Sequence, residues 1–330
     1  MDARVVPRHD PRRAALLNAW QRDLPLVPRP FDALGAPHGL RGDEVIDLLR
    51  AGLACGEVGR VGAVFGVGAG GSAMLCALRV PVGRLDAVAR CVDAEPGVNH
   101  NYAREHAWNL WFVVTAGDAS ERDASVERIE RRTGLAALRL PMRRAYRIEL
   151  GFDLFGAERP ASRPAQPAPP VECALRPLAA RLEAGLPLLE RPYAALGEPL
   201  GLDEAAVIAA LARWCNEGTV RRLGVVLRHH EFGIAANAMS VFALPEAAVD
   251  AAGARLAAQP GVNLCYRRDS APHWPYNLYC MVHGRERGAV QRAIDAATHG
   301  AGLDGVPREV LFSTRRYKQT GGRYFMGGAA

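Results

Sequence analysis

The sequence predicts an α+β fold built twice. Each copy is a winged helix-turn-helix followed by a ferredoxin-like βαββαβ module, and the tandem duplication makes an intrachain pseudo-dimer. Three observations carry this expectation. Residues 25–64, PLVPRPFDALGAPHGLRGDEVIDLLRAGLACGEVGRVGAV, return at 187–226 as PLLERPYAALGEPLGLDEAAVIAALARWCNEGTVRRLGVV. Pro96-Gly97-Val98-Asn99 with Tyr102 is echoed by Pro260-Gly261-Val262-Asn263 with Tyr266, and Asn109-Leu110 by Asn277-Leu278. Between the copies lies GAERPASRPAQPAPPV, residues 156–171, whose Ala/Pro composition suits a semi-rigid linker rather than a packed element. A period near half the chain is too long for a solenoid. Differences between the copies are therefore where chemistry is to be sought.

The elements follow in order. In the first copy, 14–21 is a helix, 30–34 begins a second, and 35–40 is a turn. A third helix spans 42–54, with Val45, Ile46, Leu49 and Leu53 on one face, and Gly56 is a C-cap candidate. A strand at 58–65 completes the winged helix-turn-helix. The second copy gives 173–184, 191–196, 203–214 with Asp203 as N-cap, and a strand at 220–227. Each copy then changes period. Strands at 72–79, 98–102, 108–115 and 139–148 alternate with helices at 82–94 and 119–133. Their counterparts are strands at 238–243, 262–267, 277–282 and 306–313, and helices at 246–259 and 288–297. The order β-α-β-β-α-β is ferredoxin-like, and the paired sheets are expected to form a shared central body. The expected domains are 1–65, 66–155, a linker at 156–172, 173–227, and 228–330 with a basic tail of Arg315, Arg316, Lys318 and Arg323.

Composition bounds the function. The 330 residues carry 41 Lys+Arg against 35 Asp+Glu, and Lys318 is the one lysine. Arginine suits bidentate carboxylate or phosphate recognition, although genomic GC bias gives the same enrichment. The seven cysteines include no C-x-x-C pair and read as buried free thiols. No apolar signal core or membrane-length run is present, so a cytoplasmic protein is expected. The helix at 42–54 opens with Asp43, Glu44 and Asp47, and that at 203–214 with Asp203 and Glu204. These carboxylates would repel a phosphate backbone, so no DNA partner is expected. The Gly-rich stretch 65–71 lacks the lysine of a phosphate loop and reads as a flexible connector.

A winged helix-turn-helix followed by βαββαβ resembles the Lrp/AsnC regulators. The local motifs are more specific. Val98-Asn99-His100-Asn101-Tyr102-x-Arg104-Glu105-His106-x-x-Asn109-Leu110-Trp111-Phe112, Arg221 to His230, Tyr276 to Gly284 and Leu311 to Gln319 resemble the siroheme decarboxylases. The similarity runs from about Leu16 to Phe325, as in the fused form of heme d1 biosynthesis. The resemblance implies loss of the C12 and C18 acetate carboxyls of siroheme, giving didecarboxysiroheme and CO2. It implies no cofactor beyond the iron of the substrate. It implies siroheme as partner, with companion decarboxylase subunits and self-association left open. The rival readings are a heme-sensing regulator and a non-catalytic tetrapyrrole carrier.

That chemistry asks for cations to hold carboxylates, apolar walls for the ring, and a proton donor. Histidine is the natural donor near neutral pH and a common iron ligand. The first copy concentrates His100, Tyr102, Arg104, His106, Trp108 and Asn109 in one hairpin, with His100 and Tyr102 on one strand face. His100 and His106 are expected to divide the roles of proton donor and iron ligand, with Arg104 gripping a carboxylate. In the second copy Leu264 replaces His100, and four inserted residues bring in His273. The expected catalytic set is thus His100, His106 and His273, with His106 or His273 as axial ligand of the substrate iron. Tyr102, Arg104, Trp108, Asn109, His229, Tyr266, Arg267, Arg268, Tyr276 and Asn277 are expected to bind substrate. His283, opposite Thr115 in the internal alignment, reads as ligand or core with neither preferred. His9, His38 and His299 need no functional account.

Overall fold

The computed structural model describes residues 11–149, 151, 154 and 166–325. The first copy runs α1 (Pro11–Ala19), α2 (Pro30–Gly35), α3 (Gly42–Ala54), β1 (Val58–Phe65), β2 (Ser72–Leu78), α4 (Leu85–Asp93), β3 (Val98–Arg104), β4 (Leu110–Ala116), α5 (Ala119–Thr133) and β5 (Leu138–Ile148). The second repeats it as α6 (Arg176–Ala184), α7 (Pro192–Gly197), α8 (Glu204–Glu217), β6 (Val220–Leu227), β7 (Ala236–Phe242), α9 (Val249–Ala257), β8 (Val262–Arg268), β9 (Leu278–Gly284), α10 (Arg287–Gly300) and β10 (Arg308–Gln319). The described residues fall into two units, one helical (11–69, 151, 154 and 167–233) and one a β-barrel (70–149, 166 and 234–325).

In the helical unit, proline opens α2 and α7, where its missing N–H costs nothing. Asp203 caps α8 by accepting the Ala206 N–H at 2.6 Å. Val45, Ile46 and Leu49 of α3 are buried as their spacing predicts, but Leu53 is 38% exposed. The expected wings take another form. A wing needs a hairpin within one module, whereas β1 pairs antiparallel with β6, one strand from each copy, centred on Gly62 opposite Gly224. The Gly-rich stretch is also more than a connector. Ala168 donates to the Val67 carbonyl at 2.7 Å and Val171 to that of Ala69 at 2.8 Å. A Cβ on Gly66 would lie 2.6 Å from the Ala168 methyl, so glycine there makes room for the returning chain. The earlier part of the expected linker, residues 156–165, lies outside the described residues.

In the barrel unit eight strands close in the order β10-β3-β4-β2-β5-β8-β9-β7. The closing strand of each copy is shared. β5 pairs with β2 through Leu138–Pro141 and then, from Met142 onward, with β8 of the other copy. β10 pairs with β7 through Arg308–Phe312 and then, from Ser313, with β3. The expected basic tail is therefore largely strand. Its charges meet acceptors: Arg315 donates to Asp86 at 2.8 Å, and Lys318 to the Asp93 carbonyl at 2.7 Å. Two register shifts in β10 break the alternation that would have marked it as a strand.

The helices cover the outside. Val88, Val92, Val126 and Ile129 pack on Phe112 and Val114, while Val249, Leu256, Val290 and Ile294 pack on Phe242 and Val282. A third core joins residues of both copies inside the barrel, including Trp111, Leu140, Met239, Trp274, Tyr279 and Leu311. Burial of each large side chain contributes about 1.5–3 kcal/mol. Not all the thiols are buried: Cys76, Cys265 and Cys280 are, while Cys55 and Cys173 are exposed. Among the described residues no helix is long and apolar enough to cross a membrane.

Candidate active site

Strand alternation divides β3 into two faces. Asn101 points outward, where its amide donates to the Ala89 carbonyl and to Asp93 on α4. His100, Tyr102 and Arg104 therefore line the inner face in a row. The His100 and Tyr102 rings stack at 6.3 Å, and the Arg104 guanidinium lies 5.8 Å from the Tyr102 ring. Burial pushes the Tyr102 hydroxyl above its ordinary pKa.

Arg104 is 8% exposed. Its Nη1 donates to the Leu311 carbonyl at 2.9 Å and contacts Asn237 Oδ1 at 3.4 Å, and Nη2 sits 3.9 Å from the Met281 sulfur. Its Nε is buried without a hydrogen-bond partner. Among the described residues no carboxylate pairs with it, and burial lowers its pKa to about 10. A cation this deep, held by neutral acceptors alone, is poorly compensated. The three groups its nitrogens meet, Leu311, Asn237 and Met281, all belong to the second copy, so barrel closure makes this a composite site.

The counterpart, Arg268, has a plainer setting. It donates to the Leu140 carbonyl at 2.9 Å and lies 5.3 Å from the Tyr266 ring and 5.7 Å from that of Tyr279. Burial lowers its pKa as well. What surrounds it differs. Asn237 faces His283 across β7 and β9, while the matching pair across β2 and β4 is Ala73 and Thr115. Arg316 stands opposite Tyr102, but Ala145 stands opposite Tyr266. With Leu264 in place of His100, the strand positions near Arg104 carry more polar residues than those near Arg268. The sequence reading missed Asn237 and Met281, because their positions depend on how the barrel closes, and it placed Arg316 in a basic tail and not in a strand opposite Tyr102.

At the hairpin tip, His106 meets Trp274 edge-on at 5.4 Å. Trp274, overlooked in the sequence, is 1% exposed, packs 5.2 Å from Trp111 and donates to the Tyr279 hydroxyl at 2.6 Å. Tyr276 packs on it at 4.8 Å, and Arg79 lies 4.4 Å from the Trp108 ring. Burial, aided by the charge of Arg79 and opposed by that of Glu309, lowers the His106 pKa. Its Nδ1 accepts the Trp108 main-chain N–H at 2.9 Å, so in the neutral ring the proton sits on Nε2. In this state His106 presents an Nε2–H donor.

Several other expected residues engage the main chain or neighbouring carboxylates. The Asn109 amide accepts the Val80 N–H at 2.9 Å and donates to the Val80 carbonyl at 2.8 Å. Asn277 does the same with Leu244, at 3.1 and 2.8 Å. Both amides are turn clamps, with donor and acceptor already engaged. Arg267 points outward and bridges Glu246 and Asp250. His273 is exposed in a loop with φ of 63°. His229 is buried in the helical unit. No metal-ligating cluster occurs among the described residues.

Comparison with known proteins agrees with this architecture. The model of the AsnC-like ligand binding domain matches 67–147 and 231–318, and that of the siroheme decarboxylase NirDL-like HTH domain matches 13–56 and 176–221. The siroheme decarboxylase NirDL subunit of Paracoccus denitrificans (strain Pd 1222) is 45% identical over 93% of this chain and 95% of its own length. The siroheme decarboxylase NirL subunit of Stutzerimonas stutzeri is 51% identical over 43% of this chain and 85% of its own. A crystal structure of the siroheme decarboxylase NirDL in complex with an iron-uroporphyrin III analogue superposes with a TM-score of 0.65, at 26% identity, over 95% of this chain and 94% of that one. With each domain model matched twice and 45% identity over nearly the full length of a two-copy relative, the chain belongs to the siroheme decarboxylase family in its two-copy, NirDL form.

Proposed function

We propose that this protein removes the carboxyl groups of the C12 and C18 acetates of siroheme, giving didecarboxysiroheme and two CO2, in heme d1 biosynthesis. The observation that carries the reading is Arg104, a buried guanidinium that no carboxylate of the described chain neutralises. A substrate carboxylate supplies the missing partner in a charge-assisted pair. Tyr102 and Met281 offer apolar surface to the macrocycle, and His100 extends the row to contact it.

Loss of CO2 leaves an electron pair on a ring-attached methylene. The conjugated ring takes up that density, and a protein acid then converts the methylene to methyl. The His106 Nδ1 accepts the Trp108 main-chain N–H, which leaves the ring proton of the neutral form on Nε2 at the hairpin tip. The acidic first turns of α3 and α8, where Asp43 pairs with Arg41 and Glu204 with Arg191, speak against a DNA-reading role. The test is anaerobic incubation of the purified protein with siroheme, followed by mass analysis. Loss of the mass of two CO2 is expected. Tight binding with no mass change would replace the enzyme by a carrier or sensor.

A further inference from the structure

The reaction needs a proton donor that can be charged and recharged in place, and the geometry points to His283, oriented by Asn263, as that group. This rests on the decarboxylase reading above. Asn263 occupies a bulge where β8 shifts register against β9, between Val262 and Leu264. Its Oδ1 accepts the main-chain N–H of His283 at 3.0 Å, and the His283 Nδ1 lies 3.0 Å from the same oxygen. A main-chain N–H can only donate, so the Asn263 atom is the oxygen and not the amide nitrogen. The ring contact is then Nδ1–H donating to Oδ1. In the neutral ring Nε2 carries the lone pair, and in the cation it carries the acidic proton. The Asn263 bond survives both states.

His106 lacks this property. Protonating its Nδ1 would sever the hydrogen bond from Trp108. Of these two rings, His283 alone can gain and lose a proton without losing its anchor. It is also well placed. It stands directly opposite Asn237 and two positions beyond Met281 on the same strand, and both of these touch Arg104. A carboxylate held by Arg104 therefore lies beside the residues that flank His283. The first copy has no such couple: Thr115 replaces the histidine, and its N–H donates to the Gly97 carbonyl instead of to Asn99.

The step balances without a further reactant. The bond between methylene and carboxyl carbon breaks, CO2 departs, and its electron pair stays on the methylene. That carbon takes the proton from Nε2 and becomes a methyl group, after which solvent reprotonates Nε2. His283 is thus a catalytic residue, and Asn263 a positioning residue that acts through it.

The test compares wild type, His283→Ala, Asn263→Ala and Asn263→Asp in the full-length protein. It measures siroheme turnover, KM and the affinity for iron-uroporphyrin III. His283→Ala is expected to lower kcat by about 100-fold or more, within the usual range for a lost acid–base group, with KM and analogue affinity within about threefold. Asn263→Ala is expected to lower kcat by about tenfold, and Asn263→Asp, which keeps the acceptor, to restore it. Turnover by His283→Ala within threefold of wild type would overturn the assignment. So would a parallel loss of analogue binding, which would make His283 an iron or carboxylate ligand. An inactive wild type that binds siroheme would instead refute the decarboxylase reading itself.

Discussion

Replacing Arg104 by methionine separates a binding arginine from a structural one. In the fold its guanidinium makes one good hydrogen bond, to the Leu311 carbonyl at 2.9 Å, a marginal one to Asn237 at 3.4 Å, and no ion pair among the described residues. The charged hydrogen bond contributes about 1.5–3 kcal/mol. Burying the cation costs several kcal/mol, and methionine of similar reach leaves no charge to solvate. The two terms nearly cancel or favour the variant, so thermal stability is expected to hold or rise by a few degrees. Binding follows the opposite course. Losing a charge-assisted pair with a substrate carboxylate weakens affinity by about 1.5–3 kcal/mol, or roughly 10- to 150-fold. The assay pairs a thermal melt with an absorbance titration of iron-uroporphyrin III. A large drop in Tm with affinity unchanged would refute the reasoning, because it would make Arg104 a strut of the barrel.

Further outcomes follow from other contacts. Asn109→Ala and Asn277→Ala each remove two hydrogen bonds that clamp a turn, so each is expected to cost about 1–3 kcal/mol in a denaturant melt with kcat nearly unchanged. Gly253→Ala would set a Cβ 2.2 Å from the Tyr146 ring, and the overpacking is expected to cost about 1–3 kcal/mol, relieved by Tyr146→Ala in the double variant. The His106 pKa is depressed below its ordinary 6.5, so the unfolded chain binds the extra proton first. Its contribution to stability is complete above pH 6.5 and falls away as pH drops through the lowered value. His106→Gln is expected to flatten the slope of Tm against pH in that window.

The regular elements were legible wherever one period dominated. α3 at 42–54 and α5 at 119–133 stand where the 3.6-residue spacing puts them. The second half of β10 was not legible, because Arg315, Arg316, Tyr317 and Lys318 carry no alternation of apolar and polar residues and the strand is bulged between partners. The row His100, Tyr102 and Arg104 could be placed on one face from alternation alone. Its neighbours could not, since Asn237 and Met281 stand 133 and 177 residues from Arg104 and meet it only through barrel closure. Asn109 and Asn277 looked like ligand contacts because polar residues beside aromatic strands often are. Only the loop geometry reveals that both ends of each amide are bonded to the main chain. Likewise the tautomers of His106 and His283 depend on single main-chain N–H groups that no sequence pattern announces.

The most direct test of the composite site is a crystal structure of this protein with iron-uroporphyrin III. The account predicts a carboxylate of the macrocycle within hydrogen-bond distance of the Arg104 guanidinium, with the ring against Tyr102. A macrocycle bound elsewhere, with Arg104 still bonded to Leu311 and Asn237 alone, would contradict it.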